Sequence, residues 1–322
     1  MASYVGVDLG ATNVRAVVGD EDARIRGRAR RPTPDGPTGI AITEAVLDVV
    51  RAACADADVD PGTVRAAGVA SFGPFDLADG AVDNPANFPD TVGRIPLTGP
   101  LAELLDTDDI HLHNDTAAGV IGERFHSERN PDDMVYLTVS SGIGTGVCVD
   151  GRVLSGWDGN AGEFGHVVVD PEGAMTCGCG RDGHWEAYCS GENVPAYARH
   201  LHETTDVATD LRVGADSFGA ADVFAAHGED PLADLVVERI QRWNLIGVTN
   251  IVHAYAPLVI FVGGAVALKN PDLVVGHVRE HLADEVFTNV PDVRLTEHGD
   301  DVVVKGALAS ALTDGTGDRA RL

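Results

Sequence analysis

The feature that most constrains this chain is a strand–turn–strand unit that occurs twice. Tyr4–Asp8 is a short apolar strand that runs into the turn Leu9-Gly10-Ala11-Thr12-Asn13, and a second apolar run, Val14–Val18, follows at once. Met134–Val139, the Gly/Ser/Thr turn Ser140–Gly146 and the strand Val147–Val149, which turns at Asp150-Gly151, repeat the plan. Two weakly similar units, each opening an α/β half, predict an internally duplicated chain whose halves face each other across a cleft. The length of 322 residues suits two domains of roughly 150 residues each.

Ile25–Arg30 adds a third strand to the first hairpin, Thr38–Ala57 has apolar residues at helical spacing, and Ala66–Phe72 returns to strand character. The segment Gly73–Pro100, rich in Gly, Pro, Asn and Asp, reads as loop. Ile110–His113 is another strand, ending at Asn114-Asp115, with a helix from Thr116. The longest apolar stretch, Asn244–Leu268, holds Asn244, Asn250 and His253 and is split by Pro257. It therefore reads as a buried helix (Pro231–Ala256) and a buried strand (Leu258–Val262), turning at Gly263-Gly264 into another helix, and not as a membrane span. No low-complexity linker marks a hinge.

Charge narrows the partners. Fifty acidic and 23 basic side chains give a net charge of −27, which argues against a nucleic-acid or anionic-membrane partner. Any phosphate must then be held by local backbone donors and a metal ion. Lysine occurs only at Lys269 and Lys305. A carboxylate-rich, Lys-poor surface reads as adaptation to high salt, where the Debye length shrinks to about 3 Å at 1 M. Five cysteines without a basic, apolar leader at Met1–Gly10 predict a cytoplasmic protein with no disulfide framework.

The chemistry-bearing residues fall in three places. In the first turn, Asp8 stands at a strand end where it can hold hydrated Mg²⁺, while Gly10, Thr12 and Asn13 can offer donors to phosphate oxygens. Ser141, Gly142 and Gly144 make a second such cradle, and neither is a Walker-type loop. An ordinary hairpin uses the same turn formers. Next, Asp115 at a strand end can accept a proton from a substrate hydroxyl, with Asn114 orienting a sugar, or can simply cap the following helix. Finally, His166, Cys177, Cys179 and His184, spaced His-x10-Cys-x-Cys-x4-His, supply four ligands for a tetrahedral structural Zn²⁺; two buried free thiols are the plainer alternative for the cysteines. Cys54, Cys148 and Cys189 read as core residues.

Together, the Asp-Leu-Gly-Ala-Thr-Asn opening, Asn114-Asp115, Gly162-Glu163-Phe164-Gly165-His166 and the run from Cys177 to Glu186 resemble the ROK family (repressors, open reading frames, sugar kinases) from Val5 to the Gly306–Leu312 helix. The resemblance implies an α/β fold of duplicated actin-like, ribonuclease-H-like ATPase domains. A small domain would take 1–114 plus 303–322, and a larger one, with a zinc-binding insertion, 115–302. It implies Asp115 as catalytic base and Asn87, Asn114, Glu163, His166 and Glu186 as sugar contacts, His166 also ligating zinc through its other ring nitrogen. Gly10, Thr12, Ser141, Gly142 and Gly144 match phosphate-loop positions, and Gly263 and Gly264 the loop near adenosine. Two departures stand out: position 184 is usually Cys in the family, and Ser141 stands where Thr is usual.

The implied activity is ATP-dependent phosphorylation of a hexose, glucose first, by a Mg²⁺-using homo-oligomer, dimer or tetramer. Fructose, mannose and N-acetylhexosamines are the alternative substrates. A sugar-responsive regulator is the alternative role, but that class carries an N-terminal helix-turn-helix, and here the hairpin begins at Tyr4.

Overall fold

The computed structural model describes residues 2–85 and 88–321, which form two compact units. The first takes the chain up to Met134, Gly146–Gly162 and everything from Asp301 onward; the second takes Val135–Thr145 and Glu163–Asp300.

In the first unit, β1 (Ser3–Leu9), β2 (Asn13–Gly19) and β3 (Ile25–Pro32) run as an antiparallel meander. Beyond β1 lie β4 (Val64–Ser71) and β8 (Ile110–Asn114), both parallel to it, so the sheet order is β3-β2-β1-β4-β8. Helices cover both faces, which is why β1, β2 and β4 read as near-continuous apolar runs. On one face, α1 (Gly39–Asp56) and α2 (Thr98–Leu105) bury Ile42, Val46, Val50, Leu101 and Leu105 against Val5, Val7, Leu9 and Val69. On the other lies α10 (Val302–Leu312), seated directly on the strands because Gly6 and Gly68 have no side chain. A Cβ at Gly6 would stand 2.6 Å from the Leu308 nitrogen. His113 of β8 ties the same helix down through a 2.7 Å hydrogen bond to Ser310 Oγ. The helix α3 (Asp115–His126) packs along α10 in this unit.

The segment expected to be loop, Gly73–Pro100, departs from that reading. It carries a three-stranded antiparallel ribbon, β5 (Phe75–Asp76), β6 (Ala81–Asp83) and β7 (Arg94–Pro96), and the start of α2. Strands of two or three residues are too short to show a two-residue period, and their turns hold the Gly, Pro and Asp that dominated the composition.

The second sheet has the order β11-β10-β9-β12-β13, from β9 (Met134–Val139), β10 (Ile143–Val149), β11 (Arg152–Val153), β12 (Val259–Gly263) and β13 (Asp292–Leu295). It pairs antiparallel at β10–β11 and parallel at β12–β13. Two mixed five-stranded sheets thus bear out the predicted α/β duplication. The second strand starts at Ile143, four residues before the expected Val147, so the turn is tighter than the glycines suggested.

The helices of the second unit are α4 (Glu186–Cys189), α5 (Val194–Thr204), α6 (Ala220–Ala225), α7 (Pro231–Tyr255), α8 (Ala265–Lys269) and α9 (His277–Glu285). Asp230 caps α7 by accepting from the Leu232 and Ala233 N–H groups, and Pro231 occupies its first turn. The helix stops at Ala256, whose φ of 45° is left-handed, just before Pro257. No helix among the described residues is long and apolar enough to cross a membrane.

Candidate functional site

In the first unit, β1, β4 and β8 end in register: Leu9 pairs with Ser71 and Ser71 with Asn114. At about 4.8 Å per strand, the first turn and Asn114-Asp115 stand two strand spacings, about 10 Å, apart on one sheet edge. Their parallel carboxyl ends are where α/β sheets place binding groups.

The turn itself is closed by the Gly10 N–H on the Asn13 carbonyl at 3.0 Å. Thr33 braces it from β3's end, its N–H donating to the Thr12 carbonyl and its hydroxyl to the Gly10 carbonyl at 2.7 Å. Arg30 donates to Asn13 Oδ1. Ala11 and Thr12 are exposed. Asp8 is buried and ion-paired to Arg15, which faces it across the hairpin. Burial pushes the Asp8 carboxyl above its ordinary value against the pull of Arg15. Arg15 was not read from the sequence as a site residue. Its register with Asp8, equidistant from the turn, was the available signal.

Asn114, and not Asp115, caps α3: its Oδ1 accepts from the Thr116 N–H at 2.9 Å and the Thr116 hydroxyl at 2.7 Å. Asp115 is the first helical residue, exposed, with its Oδ1 accepting from the same Thr116 N–H. The capping alternative therefore falls mainly to its neighbour. Between Leu9 and Asn114 sits the Ser71 hydroxyl, fully buried and without a hydrogen-bond partner among the described residues. Asn87 lies outside the described residues.

In the second unit, four side chains converge. The ligand atoms of His166, Cys177, Cys179 and His184 all lie within 4.8 Å of one another. Cys177 Sγ is 3.6 Å from His166 Nδ1, and Cys179 Sγ is 3.3 Å from His184 Nδ1. Bonds of 2.0–2.3 Å to a tetrahedral centre put ligand atoms about 3.3–3.8 Å apart, so the donor set fits zinc. His184 thus takes part where the family usually has Cys. Burial, with Cys179 and Glu186 alongside, pushes the Cys177 thiol up to about 12. A cation among these donors is what would favour the thiolate.

His166 turns Nδ1 toward this cluster and Nε2 toward Glu163, 3.8 Å from its Oε2. The frame of the loop is independent of any ion. The Tyr188 hydroxyl donates to Asp170 at 2.6 Å and accepts from the Met175 N–H, and Asp170 also accepts from the Glu172 and Ala174 N–H groups. Trp185, fully buried beside His184 and Glu186, donates to Asn244 of α7 and lies flat where Gly247 leaves a slot. None of Asp170, Tyr188, Asn244 or Gly247 carried a motif signal in the sequence.

The turn between β9 and β10 belongs to the same unit. Ser141 is exposed, and the Ile143 N–H donates to Glu186 Oε2 at 2.9 Å. At the end of β12, Gly264 has a φ of 88°, and a Cβ there would collide with the Val139 carbonyl oxygen, so only glycine fits. Beside it opens a groove of 310 Å³ lined by Ala220, Phe224, Ala265, Val266, Lys269 and Asn270. Gly263 and Gly264 were expected, from the family resemblance, to lie near adenosine; α6, which lines the groove's other side, was not anticipated.

Comparison with known proteins adds to this geometry. The model of the ROK family matches residues 4–314. A glucokinase of Pyrobaculum calidifontis is 34% identical over 314 residues, 97% of this chain and 95% of that protein. An N-acetylmannosamine kinase of Escherichia fergusonii is 31% identical over 94% of this chain and 96% of its own length. Among solved structures, a ROK hexokinase from Thermus thermophilus superposes with a TM-score of 0.82 at 29% identity, covering 97% of this chain and 98% of that one. A ROK-family glucokinase from Streptomyces griseus, solved with glucose and AMPPNP, gives 0.74 at 28% identity, covering 96% and 99%.

Proposed function

The chain belongs to the ROK family, and on that premise we propose that it is an ATP-dependent hexokinase acting on glucose. The observation that carries the reading is Asp115: an exposed carboxylate fixed as the first residue of α3, beside its capping Asn114 and one sheet edge away from the Gly10–Asn13 turn. In this reading Asp115 accepts the proton of the attacking sugar hydroxyl while Asn114 orients the ring. Glu163, His166 through Nε2, and Glu186 hold the other hydroxyls, as does Asn87.

The Gly10–Asn13 and Ser141–Gly144 turns, in which Ala11, Thr12 and Ser141 are exposed, receive the phosphates. The apolar groove at Ala220, Phe224 and Val266 has the size and lining to seat a nucleobase beside Gly263-Gly264. Asp8 is the residue that would hold Mg²⁺, which supplies charge neutralisation on the phosphates. Arg15 already balances that carboxylate, so the ion would share it. Zinc, held by His166, Cys177, Cys179 and His184, supplies structural bracing to the sugar-binding loop.

The 34% identity to a glucokinase supports glucose, and the 31% identity to an N-acetylmannosamine kinase supports an N-acetylhexosamine as the second reading. A coupled assay of ADP release over glucose, fructose, mannose, N-acetylglucosamine and N-acetylmannosamine in molar KCl separates them. Preference for glucose supports the proposal, preference for an acetylated sugar replaces it, and turnover with none of them overturns the kinase reading.

A further inference from the structure

One carboxylate touches both halves of the second unit's machinery. Glu186 Oε1 lies 3.6 Å from the sulfur of Cys177, while Oε2 accepts the Ile143 N–H that closes the turn between β9 and β10. The turn is built around that oxygen, since a Cβ at Gly142 would stand 2.7 Å from it. The segment carrying the cluster holds the turn elsewhere too. The Gly191 N–H donates to the Ser140 carbonyl at 2.7 Å and the Glu192 N–H to the Ser141 carbonyl at 3.3 Å. Gly165, beside His166, abuts the Ile143 carbonyl so closely that no Cβ fits.

We propose that Glu186 is a positioning residue for the nucleotide: it passes the occupancy of the metal site to the β9–β10 turn. This rests on the reading of that turn as a phosphate cradle. A divalent cation beside Cys177 fixes Cys177 in place and attracts the Glu186 carboxylate a few ångströms away. The carboxylate then holds the Ile143 N–H, and with it the backbone of exposed Ser141 and half-buried Gly142, in the shape that receives phosphate. Without the cation that pull is gone, only the weak Cys177 thiol donor at 3.6 Å holds Oε1, and Glu186 holds the turn less firmly. The role differs from that of a sugar contact, because it predicts an effect on nucleotide affinity in the absence of sugar.

The experiment measures binding of a non-hydrolysable ATP analogue by calorimetry, without sugar, to the parent and to Glu186→Ala, each zinc-loaded and after chelation. Hydrogen exchange is followed in parallel over residues 139–146. Chelation should weaken analogue binding to the parent about tenfold, the size of one lost charge-assisted hydrogen bond. It should also speed exchange over 139–146 while β1 exchanges as before. Glu186→Ala should start from the weakened affinity and lose nothing more on chelation. Glu186→Gln, which keeps an acceptor for Ile143, should leave 139–146 protected in the loaded protein. Equal loss on chelation in parent and Glu186→Ala, or unchanged exchange over 139–146, overturns the coupling. The parent alone decides this if Glu186→Ala does not fold. Analogue binding that is indifferent to chelation overturns the coupling only. A zinc-loaded parent that binds no analogue overturns the kinase reading and the coupling together.

Discussion

Gly306 of α10 rests on the backbone carbonyl of Ala118 in α3, with no room between them for a Cβ. Gly122 returns the contact, its Cα facing the Val302 carbonyl and the Gly306 nitrogen. This crossing aligns the helix that begins with Asp115. Helix propensity alone would make Gly306→Ala stabilising by about 1 kcal/mol. The obstructing atoms are backbone and cannot turn aside, so overpacking should win, destabilising by about 1–3 kcal/mol. Denaturant melts of the two proteins decide the sign; a more stable Ala variant would mean the helices can separate freely.

Asp115→Asn should abolish phosphoryl transfer and spare sugar binding. The amide oxygen can still accept from the Thr116 N–H, so the start of α3 should survive while proton acceptance is lost. General-base losses run to about 10²–10⁴-fold in kcat. Near-normal kcat in this variant would remove Asp115 from the chemistry.

Elemental analysis of the purified protein should find close to one zinc per chain. Cys179→Ser should lose that metal and raise KM for sugar more than for ATP, because the loop joins Glu163 and His166 to Glu186. Full sugar affinity in a metal-free variant would reduce the cluster to two thiols and two histidines.

Salt should stabilise this protein. With a net charge of −27, carboxylate repulsion is greatest in dilute buffer and is screened within about 3 Å at 1 M salt. The melting temperature and activity should climb with KCl toward the molar range. A flat profile would count against adaptation to high salt.

Acid should weaken α7 from its first turn. Burial raises the Asp230 carboxyl, but the N–H groups of Ala233, Asp210 and Leu232 and the Thr209 hydroxyl outweigh it and hold the group below its ordinary 3.8. A depressed folded value stabilises above the unfolded value and is lost as pH falls through the folded one, so stability should drop below about pH 4. Asp230→Asn keeps the cap without the titration. Its melting temperature should fall less steeply between about pH 5 and pH 3 than the parent's; matching slopes would show that other carboxylates govern the acid limb.

How much of this was legible beforehand differs by kind of evidence. Both hairpins were readable because Val, Leu and Gly mark strands and turns locally, and the split at Pro257 because proline acts on its own neighbours. The metal cluster was readable because its four ligands lie within 19 residues, from His166 to His184. The ribbon in Gly73–Pro100 was not, since two-residue strands have no period. The Asp8–Arg15 pair needed register, and the Trp185–Gly247 slot joins residues 62 apart in a chain whose pattern at either one suggests only core. Nothing in composition marks where the chain passes between the units: at two of the four crossings, Met134–Val135 and Thr145–Gly146, the passage falls inside a single strand.

The Asp170–Tyr188–Met175 network has a consequence for the order of assembly. In a zinc finger the chain stays unfolded until the ion arrives, so loading and folding are one event. Here a buried tyrosine, a carboxylate bonded to successive N–H groups and an indole slotted into a long helix cast the socket from protein alone. Folding should therefore come first and loading follow, with Cys179 the ligand left exposed to take the ion. Chelated protein should remain folded and take zinc back on mixing, with no refolding lag, so the cell could fill or empty this enzyme's metal site after synthesis without rebuilding the chain.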